Sequence, residues 1–266
     1  MNAVLSFDSG RFERIARERE LSLGQPLIFQ PTTTSTNDVA MQLCQEGAPH
    51  GLLIVADYQT QGRGRRGNLW HSPSPGENLL FSLIMRPKHE SEHPSNITLA
   101  IGLALRDAVQ PLLDKTVRIK WANDVLVDDK KLAGILVECQ LQSGKLPAFV
   151  IGIGLNVSMR ELPSPIDSVA TSLSLLNARS IDRETILADI LQCIDSRVRN
   201  WQSHGFESMA SELRQCDALL GRQIAVDGVR GRSLGIDDTG ALMLRVDDDG
   251  TPRRLLNGTV ELINLG

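Results

Sequence analysis

The chain has 266 residues, enough to bury one substantial core and a small second one. Its 41% hydrophobic and 23% charged content is that of a soluble globular protein, and no stretch approaches the roughly 18 apolar residues of a membrane helix or the apolar core of a signal peptide. Net charge −4 and a pI near 5.8 give no overall basic field for nucleic acid, and Cys44, Cys139, Cys193 and Cys216 are too scattered for a zinc site or a disulfide scaffold, so a reducing cytoplasm and no membrane are expected.

In chain order, residues 10–21 place Phe12, Ile15 and Ala16 on one face of a short amphipathic helix, too short for a helix-turn-helix. After Pro31 a polar run ends where Val39, Ala40 and Leu43 begin a helical pattern, so a helix should start with its cap among residues 35–38. Residues 52–57 and 79–86 read as strands, and 97–113 as a helix ending near Pro111. Residues 117–121 and 134–141 read as strands separated by a turn-rich Asp128-Asp129-Lys130-Lys131. Residues 148–157 form a continuous apolar run with Gly152 and Gly154 inside it, the pattern of a fully buried strand. A Pro- and Ser-rich loop over 158–176 is followed by helices over 183–204 and 206–213. From Leu220 onward, short alternating stretches (223–229, 233–237, 241–246, 253–256, 259–263) separated by Asp-Gly, Thr-Gly and Asn-Gly predict a small barrel packed on the main domain.

The most informative six residues are Gly62-Arg63-Gly64-Arg65-Arg66-Gly67, between an apolar strand and Trp70. Glycines let the backbone approach a ligand, and arginines add planar, permanently charged forks, a composition suited to closing over an anion. The loop lacks the Gly-Lys-Ser/Thr ending of a Walker loop, and its arginines set it apart from a dinucleotide fingerprint. Lys120-Trp121-Ala122-Asn123-Asp124 taken alone reads as an ordinary strand end with an Asn-Asp turn. Lys130-Lys131-Leu132-Ala133-Gly134 is either a solvated hairpin tip or a lysine aimed at a carboxylate or phosphate. Gly152-Ile153-Gly154-Leu155-Asn156 marks either close approach by a ligand or tight core packing.

The order of these stretches, from Ser35-Thr36-Asn37 through the arginine loop to Lys131–Glu138 and Asn156, closely resembles the biotin–protein ligases over residues 30–266. Those enzymes activate biotin with ATP to biotinyl-5′-AMP and attach it to a lysine of the biotin carboxyl carrier protein of acetyl-CoA carboxylase. The resemblance implies an α+β fold: a mixed sheet with packed helices like the class II synthetases, followed by an SH3-like β-barrel. It divides the chain into a catalytic domain over 1–218, with 1–30 a helical extension, and a barrel over 219–266. It implies biotin contacts from Ser35, Thr36, Asn37, Gln59, Arg63, Gly64, Arg65, Lys131 and Gly134, with Arg65 and Lys131 catalytic. Nucleotide contacts are implied for Trp70, Lys120, Asn123, Asp124 and Asn156, with Mg²⁺ accompanying ATP and Asp124 a candidate ligand. Residues 79–84 and 134–137 are expected to line the apolar part of the pocket, and the loop is expected to be mobile because it has little to pack against. Ala122 stands where that family usually has proline, which should loosen the turn without removing a ligand. Lipoate ligases and octanoyl transferases, the related alternative, lack the arginine loop. A repressor would need a DNA-reading helix pair, for which the first 30 residues have no room, so no DNA partner is expected. A monomer and a homodimer remain equally open.

Overall fold

A seven-stranded sheet organises the main part of the chain, and its composition follows from the alternation of buried residues along each strand. The computed structural model describes residues 6–87, 96–141 and 146–263, so the first five residues of the expected extension and the last three of the expected barrel lie outside the described residues. The main elements are α1 (Ser9–Glu18), β1 (Leu27–Thr33), α2 (Thr36–Gln45), β2 (Leu53–Gln59), β3 (Asn78–Met85), α3 (Ile97–Val109), β4 (Val117–Lys120), β5 (Asp124–Val127), β6 (Lys130–Gln140), β7 (Ala148–Asn156), α4 (Arg183–His204) and α5 (Glu207–Gln215). The sheet runs in the order β1-β2-β3-β7-β6-β5-β4, with β1 and β2 parallel and every other neighbouring pair antiparallel.

Successive strand residues face opposite sides of a sheet. Leu53 and Val55 of β2, and Phe81 and Leu83 of β3, join the large core beneath α1, α3 and α4. The intervening Ile54 and Ile84 pack with Ala40 and Cys44 of α2 on the opposite face. Helix α3 is buried from Ile97 to Val109 on almost every side, as its apolar sequence requires, and packs against α4. The buried pair Arg183 Nη1–Asp57 Oδ1 (2.8 Å) ties the start of α4 to β2. Asp57 also accepts from the Phe7 amide, fixing the chain before α1.

The C-terminal unit is a five-stranded antiparallel sheet of β8 (Gln223–Val226), β9 (Val229–Ile236), β10 (Leu242–Val246), β11 (Pro252–Leu255) and β12 (Val260–Leu262), in the order β11-β10-β9-β8-β12. The segment leading into it is tied to β4 by backbone bonds from Ile119 N to Cys216 O (2.8 Å) and from Ala218 N to Ile119 O (2.9 Å).

Three local expectations need correction. Strand β1 was not anticipated, because it is a half-exposed edge strand containing Pro31, and its sequence shows neither alternation nor an apolar run. Residues 117–140 hold three strands rather than two. The connector between β5 and β6 is a two-residue turn at Asp128 and Asp129, both with positive φ, and β6 begins at Lys130 rather than 134. The stretch 223–229 is likewise broken by an Asp227-Gly228 turn into β8 and β9.

Candidate active site

The expected site residues converge on one cavity where α2, the arginine loop, the β4–β5 turn, β6, β7 and the edge of the C-terminal sheet meet. Its lining includes Ser35, Thr36, Asn37, Gln59, Arg63, Gly64, Arg65, Trp70, Lys120, Asn123, Asp124, Lys131 and Gly134. Residues 79–84, expected to line it, do not. Gly152–Gly154 of β7 take that place beside Gly134–Leu136 of β6. Asn156 also lies off the lining: its buried amide donates to Thr171 O (2.8 Å), which holds the loop after β7, and more weakly to Lys131 O (3.4 Å).

The polar end is built at the N-terminus of α2. Ser35 occupies the cap position, but the Thr36 amide and hydroxyl both donate to Gln59 Oε1 (2.7 and 3.1 Å), so this end of the helix is closed by a protein side chain. Ser82 of β3, which carried no sequence signal beyond being polar inside an apolar strand, donates to Asn37 Oδ1 (2.6 Å). Asn37 Nδ2 donates to Glu138 Oε2 (2.8 Å) and lies 3.4 Å from Leu136 O. One Asn37 hydrogen is therefore weakly held and can turn to a ligand acceptor.

The glycines of the two central strands make room for side chains. Gly134 and Gly154 face each other across β6 and β7. A Cβ on Gly154 would stand 2.5 Å from Trp70 Cζ2, and one on Gly134 would stand 2.9 Å from Trp70 Cζ3. The Trp70 indole thus lies against both strands, in the slot expected to receive ligand at Gly134. Its Nε1 is buried with no hydrogen-bond partner, a cost a ligand acceptor would relieve. The remaining cavity is about 140 Å³. Ligand pockets are typically about 300–1,000 Å³, so a biotin-sized molecule with a nucleotide requires the indole and its loop to shift.

The cations divide by partner. Arg63 is neutralised by Asp38 (2.7 Å) and Glu138 (2.6 Å). Arg66, at φ +53, pairs with Asp227 of the C-terminal sheet (2.5 Å), and Lys131 pairs with Asp124 (2.7 Å) while its ammonium stands 5.5 Å from the Trp70 ring centroid. Arg65 donates only to the neutral Asn123 Oδ1 (3.2 Å), and among the described residues neither it nor Lys120 forms a salt bridge. Burial lowers the pKa of both, further helped at Arg65 by the neighbouring Arg66 charge and opposed at Lys120 by Asp124. The loop buries little apolar surface, with Leu69 70% exposed, but it is tied by polar contacts. Its three arginines reach α2 and β6, the β4–β5 turn, and the C-terminal sheet respectively. The turn bearing Ala122 is likewise tied down, because Trp121 Nε1 donates to Gly240 O (3.0 Å).

An α+β sheet thus carries a cationic pocket over its central strands, with a small all-β unit beside it. The sequence profile of the Biotin/lipoate A/B protein ligase family matches residues 29–156. The biotin–[acetyl-CoA-carboxylase] ligase of Mycobacterium tuberculosis is 31% identical over 222 residues, covering 81% of this chain and 80% of that protein. The bifunctional ligase/repressor BirA of Bacillus spizizenii is 38% identical over 186 residues, covering 69% of this chain and 57% of its own length, so the chain spans a little over half of that relative. The biotin protein ligase of Aquifex aeolicus, solved with biotin and ATP, superposes with a TM-score of 0.77 at 28% identity, covering 90% of this chain and 99% of that one. The chain belongs to the biotin/lipoate protein ligase family.

Proposed function

We propose that the protein is a biotin–protein ligase: it joins biotin to AMP at the expense of ATP and passes biotin to a lysine of the biotin carboxyl carrier protein of acetyl-CoA carboxylase. The observation carrying this reading is the pair of cations without salt-bridge partners, Arg65 and Lys120, facing one cavity with the polar end at Asn37 and with Lys131. In the first step a biotin carboxylate oxygen attacks the α-phosphorus and pyrophosphate leaves. Two anions must meet, so fixed positive charge that costs no reorganisation lowers the barrier. Lys120 supplies it, Lys131 adds its ammonium once a ligand anion competes with Asp124, and Arg65 holds the phosphate of the adenylate once it has formed. In the second step the carrier lysine, as free amine, attacks the acyl carbon and AMP leaves.

The polar end offers the second Asn37 hydrogen and the Ser35 hydroxyl to the ureido ring. Trp70 supplies an apolar face and an unpaired Nε1–H on the nucleotide side. Among the described residues Asp124 is the one carboxylate in the cavity lining, so Mg²⁺, which favours one or two carboxylates plus substrate phosphates, would arrive with the nucleotide and use Asp124 at most. The functional division falls near residue 218, between α5 and β8, with Gly258, Thr259 and Val260 of the second unit completing the catalytic pocket. The proposal includes no DNA-reading role and takes the cytoplasm, where the carrier is made, as the setting. Among the described residues no helix is long and apolar enough to cross a membrane.

Incubation with ATP, Mg²⁺, labelled biotin and a biotin carrier domain tests it. Label on the carrier lysine with release of pyrophosphate and AMP is expected. Activation of lipoate in place of biotin, or no adenylate at all, would overturn it.

A further inference from the structure

On β6, Gly134, Leu136 and Glu138 share the face that looks onto the cavity, because alternate strand residues point the same way. A carboxylate there is half-buried and stands opposite the buried Val150 of β7. Such a charge is costly unless paired and hydrogen-bonded. Glu138 is paired twice. Its Oε1 and Oε2 accept from Arg63 Nη1 (3.1 Å) and Nη2 (2.6 Å), a two-pronged contact, and Oε2 also accepts from Asn37 Nδ2 (2.8 Å). Asn37 is only 3% exposed, and its other polar atom is taken by Ser82. The residues joined here are separated by 75 positions on the loop side and 101 on the helix side.

We propose, resting on the ligase reading, that Glu138 is a positioning residue that sets the arginine loop and the biotin end of the pocket as one unit. Arg63 does not serve mainly as a ligand cation. Two carboxylates, Asp38 and Glu138, already answer its charge, and it fastens the start of the loop over α2. The same Glu138 oxygen fixes the Asn37 amide, whose second hydrogen is held only by a long contact to Leu136 O (3.4 Å) and can turn to a ligand. A ligand bonded to Asn37 is therefore coupled through one carboxylate to the position of the loop that must close over it. Arg65, bonded only to neutral Asn123, stays available for the phosphate.

Glu138→Gln separates the two roles, since it keeps an oxygen acceptor for Asn37 and removes the charge that holds Arg63. In steady-state adenylation the variant should raise the biotin KM about tenfold, the scale of a partly exposed, two-pronged arginine–carboxylate contact. Its kcat and its KM for ATP should stay within about twofold, and Glu138→Asp should restore part of the biotin KM. Arg63→Ala should have the same effect as Glu138→Gln, and the double variant should be no worse than either alone. A merely structural Glu138 would instead lower the melting temperature and lower kcat while raising both KM values together. In the ligand-free protein, hydrogen exchange across residues 62–69 should quicken in Glu138→Gln. If the wild type makes no biotinyl adenylate, the ligase reading fails, and the exchange measurement still decides the anchor. If the wild type is active but the variant's biotin KM and loop exchange are unchanged, or its effect adds fully to that of Arg63→Ala, the proposal is overturned.

Discussion

Gly152→Ala is the sharpest test of how the pocket is built. Gly152 does not adopt positive φ, so alanine is allowed by the backbone and the whole effect is steric. The added Cβ would stand 2.7 Å from Asn37 Cγ and 3.1 Å from Nδ2, with Oδ1 nearer still. Asn37 cannot step aside freely, because Ser82 holds one end of its amide and Glu138 the other, and α2 is anchored by Ala40 and Cys44 against the sheet. Overpacking a tight site costs about 1–3 kcal/mol. Displacing Asn37 also weakens one neutral hydrogen bond of about 1 kcal/mol and one to a charged group of about 1.5–3 kcal/mol. Because these terms overlap, a loss of about 2–4 kcal/mol is expected, read by urea unfolding; at about 2–4 °C per kcal/mol the midpoint should fall by roughly 5–15 °C. Gly154→Ala is the control. Its Cβ would meet the Trp70 indole, which belongs to a surface loop and can swing away, so it should cost less than about 1 kcal/mol while exposing that indole. Asn37→Ala should remove most of the penalty of Gly152→Ala, giving a coupling of about 1 kcal/mol or more in a double-mutant cycle. Equal costs for the two glycine variants, or full additivity with Asn37→Ala, would refute the reasoning.

Arg65→Gly should leave adenylate formation in place but weaken retention of the intermediate by about one to two orders of magnitude, at about 1.5–3 kcal/mol per charged hydrogen bond. Labelled biotin should then appear on lysines of bystander proteins, and loss of adenylate formation instead would move Arg65 to the first chemical step. Asp217 is 7% exposed and burial raises its carboxyl to about 6 from 3.8, outweighing the backbone N–H bonds from Leu219 and Leu220 that lower it. Since the folded state holds this proton more tightly, stability from Asp217 is present below about pH 4 and lost as pH rises to about 6. Asp217→Asn, which keeps an acceptor for Leu219 N, should therefore gain on the wild type between pH 4 and 7 by up to about 3 kcal/mol in unfolding free energy, and a pH-independent difference would contradict it.

Short stretches of the chain carry its caps, its apolar periods and the composition of the arginine loop. A helix start among residues 35–38 is legible from polar-to-apolar switching, but Gln59, not a local cap side chain, takes the Thr36 amide. Helix α4 spans the expected 183–204, with an Asp182 cap and a Gly205 end that both act within a turn. The arginine loop announced an anion site by composition. The partner of each charge is set by packing instead. Nothing local to Arg63 names Glu138, because their meeting depends on the register of β6 in the sheet and on where the loop returns over α2. Nothing local to Gly154 names Trp70, which fills the space above it only because β6 and β7 bring two glycines face to face. Asn156 shows the converse: a polar residue at the end of a buried strand looked like a ligand contact, but the loop after it lay near enough for its amide to be used there. Caps and apolar periods are set by neighbours within a few bonds, whereas ion pairs and steric slots are set by the packing of strands distant in sequence, which no short window contains.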